Sequence, residues 1–197
     1  KGIEYIDYLN NSPDDLGVLW FHIWPNAYKD KTTALAKQKL ENGSTSLYYS
    51  TKEERGYING LDFQVNGESV SWEYHPEYID ICKLVLNKPL RAGQSIRIST
   101  PFFVKIPDAK FSRLGHVYQS YMITQWYPKP AVYDKNGWHP MPYLDQGEFY
   151  SEFGSFDVSI TLPSNYTVGA TGDLQNKEEL ARLNKIAKAT DTITKFS

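Results

Sequence analysis

Residues 125–154 constrain the fold more than any other stretch, because they are dense in both aromatic residues and proline. Each proline removes a backbone donor and fixes φ, so the segment is predicted to follow a rigid, irregular path. Long irregular segments inside a domain are usually functional. Two interpretations fit the composition equally: a wall of a binding cleft, or a cap of aromatic rings over the open end of a β-sandwich. The prolines are Pro128, Pro130, Pro140 and Pro142.

The composition of the 197 residues favours one all-β domain that spans residues 1–197. Aromatic residues make up 15% of the chain, with scattered glycine and proline, which is typical of β proteins. A formal net charge of −2 provides no basic surface for phosphates, so nucleic acid is not expected as a partner. No apolar run approaches the length of roughly 20 residues that a membrane span needs.

Hydrophobic periodicity predicts a series of strands and two helices. Residues 18–24 are apolar on both faces, which predicts a central strand, and Asn66-Gly67 predicts a hairpin turn between residues 57–66 and 70–74. Helices are expected near residues 30–41, with Asp30 as the N-cap, and near 177–189, with Asn176 as the cap. Residues 110–120 lack a period and are expected to form a loop. The other predicted strands are 2–9, 79–86, 95–100, 102–106, 121–126, 156–162 and 166–171.

The histidines and the cysteine of this chain do not form a recognisable motif. No two histidines lie close enough in sequence to form a zinc pair of the His-x-x-x-His type. His22 stands between Trp20 and Trp24, where a hydrogen-bonded core residue is favoured over a ligand. Cys82 is the single cysteine, so an internal disulfide is excluded, and its apolar neighbours predict burial.

Three carboxylates in the aromatic segment allow one further chemistry. Asp145, Glu148 and Glu152 could form the paired acids of a glycosidase, although solvated loop charges are the commoner outcome. Gly-x-Ser-x-Gly motifs and phosphate-binding glycine loops are absent from the sequence. The residues of this chain therefore do not indicate a complete enzyme.

Three motifs carry a resemblance to a known family. LWFHIWPNAY (19–28), RGYINGLDFQVNG (55–67) and ITQWYPKPAVYDKNGWHPMPYLDQGEFYSEFGSFDVSITLP (123–163) resemble the N-terminal domain of M1-family zinc aminopeptidases. The closest resemblance is to the bacterial branch with a Gln-Trp-Tyr-Pro-Lys signature. It implies an all-β, saddle-shaped β-sandwich with antiparallel and mixed strands that packs against a thermolysin-like catalytic domain and covers its active site.

The resemblance also assigns roles to individual residues. Family members take zinc and the catalytic base from a His-Glu-x-x-His helix, and bind the substrate amine with a Gly-x-Met-Glu-Asn strand; this sequence contains neither. The resemblance therefore implies no cofactor in this chain and zinc in the parent enzyme. A Gln-x-Gln/Glu pair of the family implies substrate contact at Gln125 and at Tyr127, which replaces the second Gln or Glu. A phenol can accept a hydrogen bond or offer its ring to a cation, but it brings no charge. Tyr127 could equally be a packing aromatic.

Three functions remain open from the sequence. The first is a non-catalytic domain of a zinc aminopeptidase that closes the active-site cleft and helps to hold the peptide N-terminus. The second is a carbohydrate-binding β-sandwich, with Trp126 and Trp138 as stacking platforms. The third is a scaffold domain of an M1 relative whose catalytic site has decayed. With the resemblance, the cleft-wall interpretation is favoured, and residues 138–154 are assigned mainly to covering the sandwich and an interface.

The partners and the compartment follow from the same hypothesis. The expected partners are the catalytic domain of the parent protein and the N-terminus of a peptide. The domain is expected to be truncated at both ends, so unpaired sheet edges should favour self-association. The resemblance implies export to the bacterial cell envelope or periplasm, with the cytoplasm as the alternative.

Overall fold

A computed structural model describes residues 1–190 of the chain, which form two compact units. The first unit is Lys1–Gly154 and contains all of the described strands, and the second unit begins at Ser155. The chain is dominated by antiparallel sheets with two α-helices, which confirms the predicted all-β class. No helix among the described residues is both long enough and apolar enough to span a membrane.

The strands of the first unit range from two to eleven residues. They are β1 (Gly2–Leu9), β2 (Leu16–His22), β3 (Tyr57–Asn59), β4 (Gln64–Val65), β5 (Glu68–Ser69), β6 (Ser71–Tyr74), β7 (Ile81–Leu90), β8 (Ser95–Lys105), β9 (Gly115–Val117), β10 (Ser120–Met122), β11 (Lys129–Pro130), β12 (Val132–Asp134) and β13 (Gly137–His139). A short 3-10 helix, Trp24–Tyr28, follows β2, and helix α1 is Ala34–Glu41.

Two sheets enclose the main core of the first unit. One sheet has the order β1-β8-β4-β5, with β3 also paired to β8, and the other has the order β11-β2-β7-β6. β2 lies inside its sheet between β11 and β7, as its two apolar faces predict. Side chains of both sheets meet in a cluster of fully buried residues, which gives the unit its sandwich-like character. This cluster includes Leu19, Phe21, Ile58, Phe63, Cys82, Leu84, Ile98 and Phe102.

A second core lies between the 3-10 helix, helix α1 and the segment around Tyr143. Trp24 and Tyr28 of the 3-10 helix pack there with Leu35 of α1, and Tyr143 closes the cluster. Proline at position 25 suits the first turn of a helix, because its missing N–H would be unpaired there in any case. The second core therefore binds part of the aromatic, proline-rich segment to the body of the unit.

The predicted hairpin turn is present, but its strands pair differently from the prediction. Asn66 and Gly67 both have positive φ, 52° and 84°, and they join β4 to β5 as the Asn-Gly dipeptide predicts. The Val70 N–H still donates to the Phe63 carbonyl across this turn at 3.2 Å, but residues 71–74 do not pair across it. β6 instead pairs with β7 in the other sheet, because the chain changes sheets at Val70, whose side chain is buried in the main core.

Helix α1 begins later than predicted, because Thr33 is its N-cap instead of Asp30. The Thr33 hydroxyl oxygen accepts a hydrogen bond from the Ala36 N–H at 3.3 Å, and the hydroxyl donates to the Ala27 carbonyl at 2.7 Å. Asp30 forms a local turn in which its carboxylate accepts from the N–H and the hydroxyl of Thr32. Asp30 therefore stabilises the turn before the helix.

The prediction for residues 110–126 was wrong in two places. The expected loop at 110–120 contains the hairpin of β9 and β10, and the strand expected at 121–126 ends at Met122. His116 stacks on Tyr121 across this hairpin, with ring centroids 5.5 Å apart. Cross-strand ring contacts of this kind stabilise the pairing of strands, and the polar sequence of this segment does not indicate them.

The second unit contains one helix and no strand among its described residues. Helix α2, Lys177–Thr190, is capped by Asn176, whose side-chain oxygen accepts from the Glu179 N–H at 3.0 Å, as predicted. The strands predicted at 156–162 and 166–171 are absent, and Phe156 is 68% exposed. Alternation favours a strand, but a strand also needs a neighbouring strand for its backbone groups, and no described strand forms a ladder with these residues.

Candidate functional site

The loop between β10 and β11 carries both residues for which substrate contact was predicted. Gln125 and Tyr127 are half-buried in this loop. Gln125 has a positive φ of 51°, a left-handed conformation that costs a non-glycine residue about 1–3 kcal/mol. Tyr118, at the tip of the preceding hairpin, has a φ of 49°. Backbone strain of this kind clusters at functional sites, because the surrounding contacts must hold it in place.

The Gln125 side chain is oriented by Lys129. The ammonium of Lys129 donates to Gln125 Oε1 at 3.1 Å and to the Ser151 hydroxyl oxygen at 2.8 Å. The same nitrogen lies 4.1 Å from the centroid of the Trp24 ring, which is a close cation–π contact. Lys129 therefore joins the start of the aromatic segment to its end across the face of a buried tryptophan.

The charge of Lys129 has no carboxylate partner within the described residues. No ion pair with an acidic side chain includes it there, and burial lowers its pKa to about 8. Because the charged form is desolvated, the lysine is held by an amide, a hydroxyl and an aromatic face. The lysine is a cation near neutral pH and can lose its proton just above that pH.

His22 lies beside this group and acts as a neutral core residue, as predicted. Its ring stacks on Trp24 with centroids 4.4 Å apart, and its Nε2 accepts from the Met141 N–H at 3.1 Å. Burial, followed by the positive charge of Lys129, lowers the His22 pKa to about 3. The imidazole is therefore neutral at physiological pH, and its Nε2 accepts the hydrogen bond that holds the backbone at Met141.

Tyr127 packs against the main core, within electrostatic range of the half-buried Glu4. Its ring makes an edge contact with Trp126, with centroids 5.4 Å apart, and Trp126 in turn contacts Phe102 at 5.7 Å. Burial, followed by the negative charge of Glu4, raises the pKa of Tyr127 above its usual value. The phenol is therefore neutral near pH 7. The predicted pocket-wall residue lies next to a carboxylate that no motif indicated.

The remainder of the aromatic segment holds the second core closed. The Trp24 indole N–H donates to the Met141 carbonyl at 3.0 Å, and the Tyr143 N–H donates to Asp80 Oδ2 at 2.7 Å. Lys39 of α1 forms an ion pair with Asp145 at 2.7 Å. These contacts place residues 141–145 against the second core, and the assignment of residues 138–154 to covering the sandwich stays a prediction.

The three candidate glycosidase acids are ion-paired or exposed. Asp145 is held by Lys39, and Glu148 and Glu152 are exposed. Within residues 1–190 no group of three His, Cys, Asp or Glu side chains is arranged to hold a metal ion. The tryptophans suggested as sugar platforms, Trp126 and Trp138, are partly buried and pack against the main core. Their faces are therefore largely occupied by protein.

Sequence reasoning missed Lys129 and Glu4 as members of this site. Lys129 is the last residue of the Gln-Trp-Tyr-Pro-Lys signature, so its position in a motif was visible even though its contacts were not. Glu4 shares one face of β1 with Ile6 and Tyr8, and a carboxylate on an otherwise apolar face was the available signal. Comparison of the chain with protein-family models, with curated proteins and with solved structures gives no match.

Proposed function

We propose that this chain is the non-catalytic N-terminal domain of an M1-type zinc metallo-aminopeptidase. Its role is to close the active-site cleft of the catalytic domain and to help hold the N-terminus of the peptide substrate. Zinc belongs to the catalytic domain of that parent enzyme, which acts in the bacterial cell envelope or periplasm. The proposal starts from the motifs at 19–28, 55–67 and 123–163.

The observation that carries the proposal is the fixed position of Gln125. Its strained backbone and its contact with Lys129 hold the amide in one place before any ligand arrives. A polar group that is already oriented binds a ligand with a smaller loss of conformational entropy. Tyr127 follows two residues later, so the two side chains share one half-buried loop.

The chemistry of this loop suits a free peptide N-terminus. A carbonyl oxygen has two lone pairs, so Gln125 Oε1 can accept from an α-ammonium while it accepts from Lys129. The amide nitrogen of Gln125 has no partner among the described residues, and it can donate to the first carbonyl of a peptide. Tyr127 contributes a ring edge and a neutral hydroxyl beside them.

Binding of a free amine by the chain tests this proposal. We expect the dipeptide amide Leu-Gly-NH2 to bind in the millimolar range and its N-acetylated form to bind at least about tenfold more weakly. Gln125→Ala should weaken binding of the free amine about 10- to 100-fold, because one charge-assisted hydrogen bond is lost. Chemical-shift titration by NMR measures all three affinities.

A matched control separates this site from its surroundings. Gln146 is an exposed glutamine of the same segment, and Gln146→Ala should leave the affinity for Leu-Gly-NH2 unchanged. Equal affinity of the wild-type chain for the free and the acetylated ligand would contradict a role in holding a peptide N-terminus.

The coding sequence that adjoins this region shows whether the parent protein is an active enzyme or a relative whose catalytic site has decayed. We expect it to encode a His-Glu-x-x-His motif with a downstream Glu, because that set holds the catalytic zinc. A thermolysin-like domain that lacks these residues would instead make this chain part of a structural protein.

A further inference from the structure

Glu4 is a carboxylate on the inner face of an edge strand. β1 alternates between exposed and half-buried residues, and Glu4 shares its inner face with Ile6 and Tyr8, which pack against the main core. A carboxylate among apolar side chains loses its solvation, so it must either bind a proton or pair with a cation.

Nothing in the described part of the chain neutralises this carboxylate. Glu4 Oε1 is enclosed and has no hydrogen-bond partner, and no lysine or arginine forms an ion pair with it there. Thr100 lies opposite on β8, but its hydroxyl donates to the Pro101 carbonyl and accepts from the Asp62 N–H. Glu4 as a whole is half-buried, so the residue retains some exposure to solvent.

We propose that the Glu4 carboxylate is the anionic acceptor for the primary ammonium group of a ligand bound beside Tyr127. This inference rests on the proposed function, and it supplies the negative charge that a tyrosine at position 127 lacks. A carboxylate flanked by aromatic rings is a favourable site for an ammonium, because the ion pair and the ring faces act on the same charge.

The proposal can be tested through the proton that the Glu4 carboxyl releases when a ligand binds. The charge of Glu4 contributes to the raised pKa of Tyr127. Tyr8, on the same face of β1, has a pKa raised to about 12 by burial and by the charge of Glu152. Burial raises the pKa of Glu4 to about 8, so the unliganded carboxyl is protonated at pH 7. When an ammonium binds, the carboxyl ionises to form the ion pair, and its proton is released to the buffer. One proton should therefore be released for each ligand bound.

Calorimetric titration of the whole chain with Leu-Gly-NH2 tests this role. Measurements at pH 7 in phosphate and in Tris, which differ in ionisation enthalpy, give the number of protons released. We expect nearly one proton for the wild-type chain, and for Glu4→Gln no release and about tenfold or greater loss of affinity. Glu4→Gln should remain folded, because it removes a desolvated acid and keeps the side-chain volume, and circular dichroism checks this.

The outcomes separate this inference from the proposed function. If Glu4→Gln binds Leu-Gly-NH2 as tightly as the wild-type chain does, with unchanged proton release, the role of Glu4 is overturned and the proposed function stands. If the wild-type chain does not prefer Leu-Gly-NH2 to its acetylated form, the proposed function and this inference both fail. Tyr127→Phe retains the ring and should lower the affinity less than Glu4→Gln does, which distinguishes the carboxylate from the phenol.

Discussion

Trp24→Ala is expected to lower the free energy of unfolding by about 3–5 kcal/mol, the usual cost of removing a large buried aromatic side chain. Trp24 is 2% exposed and contacts three other rings of the second core and its border, His22, Tyr143 and Phe149. Its indole N–H also donates to the Met141 carbonyl. The substitution therefore removes packing, a hydrogen bond and the aromatic face beneath Lys129 at once.

The series Trp24→Phe and Trp24→Ala separates these contributions. Phe retains a ring but cannot donate to Met141, so its cost should be about 1–3 kcal/mol, close to that of one unsatisfied buried carbonyl and a small cavity. Urea unfolding followed by circular dichroism measures both variants. Trp138→Ala is the matched control, since Trp138 is half-buried and contacts Tyr133 at the border of the main core. A Trp24→Ala variant that loses no more stability than Trp138→Ala would show that the second core does not depend on this ring.

The sequence correctly predicted the elements that depend on local contacts. β1 has the predicted bounds, the Asn66-Gly67 turn has the left-handed φ values that this dipeptide favours, and Asn176 caps α2. In each case the decisive contacts lie within a few residues of one another. The start of α1 was misplaced because Asp30 and Thr33 are both good caps, and only the contact of Thr33 with Ala27 decides between them.

Strand pairing could not be predicted where it depends on distant residues. Residues 156–162 have the alternation of a half-buried strand, yet no described strand pairs with them. Residues 70–74 also alternate, but residues 71–74 pair with β7 instead of with the hairpin that precedes them. Periodicity reports the conformation that a segment prefers, whereas a sheet also requires a partner edge, which the segment does not encode.

The candidate site also contains some residues that the sequence indicated and others that only the folded structure brings together. The resemblance placed attention on Gln125 and Tyr127, and the structure places both in one half-buried loop. Lys129 orients Gln125 from four residues away, a contact that depends on the left-handed turn at Gln125. Glu4 comes from the far end of the chain, so only the folded sheet brings its charge near Tyr127. The sequence motifs therefore indicated the loop that carries Gln125 and Tyr127, whereas the charged residues Lys129 and Glu4 became apparent only in the tertiary structure.

Asp80 provides the second large expected effect, which depends on pH. Asp80 is 2% exposed, and its Oδ2 accepts from the Tyr143 N–H, which anchors the aromatic segment over the second core. At pH 3.5, where Asp80 is protonated in the folded state and mostly protonated in the unfolded state, we expect Asp80→Ala to lower the free energy of unfolding by about 1–3 kcal/mol, because the buried Tyr143 N–H loses its acceptor. Asp80→Asn retains a side-chain carbonyl oxygen and should remain close to the wild type at this pH.

The difference in stability between Asp80→Asn and the wild type grows as the pH rises. Burial raises the pKa of Asp80 from 3.8 to about 6, so the folded state holds the proton more tightly than the unfolded state does. The resulting stabilisation is fully present below pH 3.8 and is lost as the pH rises through 6; over this range it amounts to roughly 3 kcal/mol. Asn carries no charge at any pH. The Asn variant should therefore become more stable than the wild type by pH 8, by an amount that approaches this figure.

Urea unfolding of the wild type and of Asp80→Asn at several values between pH 3.5 and pH 8 measures this difference. The gap between the two curves should open mainly between pH 4 and pH 6, since Asp80 loses its proton in the unfolded state first and in the folded state last. Other titrating groups contribute equally to both proteins and cancel in the difference. A gap that is constant with pH would mean that Asp80 ionises alike in both states, and that Tyr143 is anchored by an ordinary carboxylate.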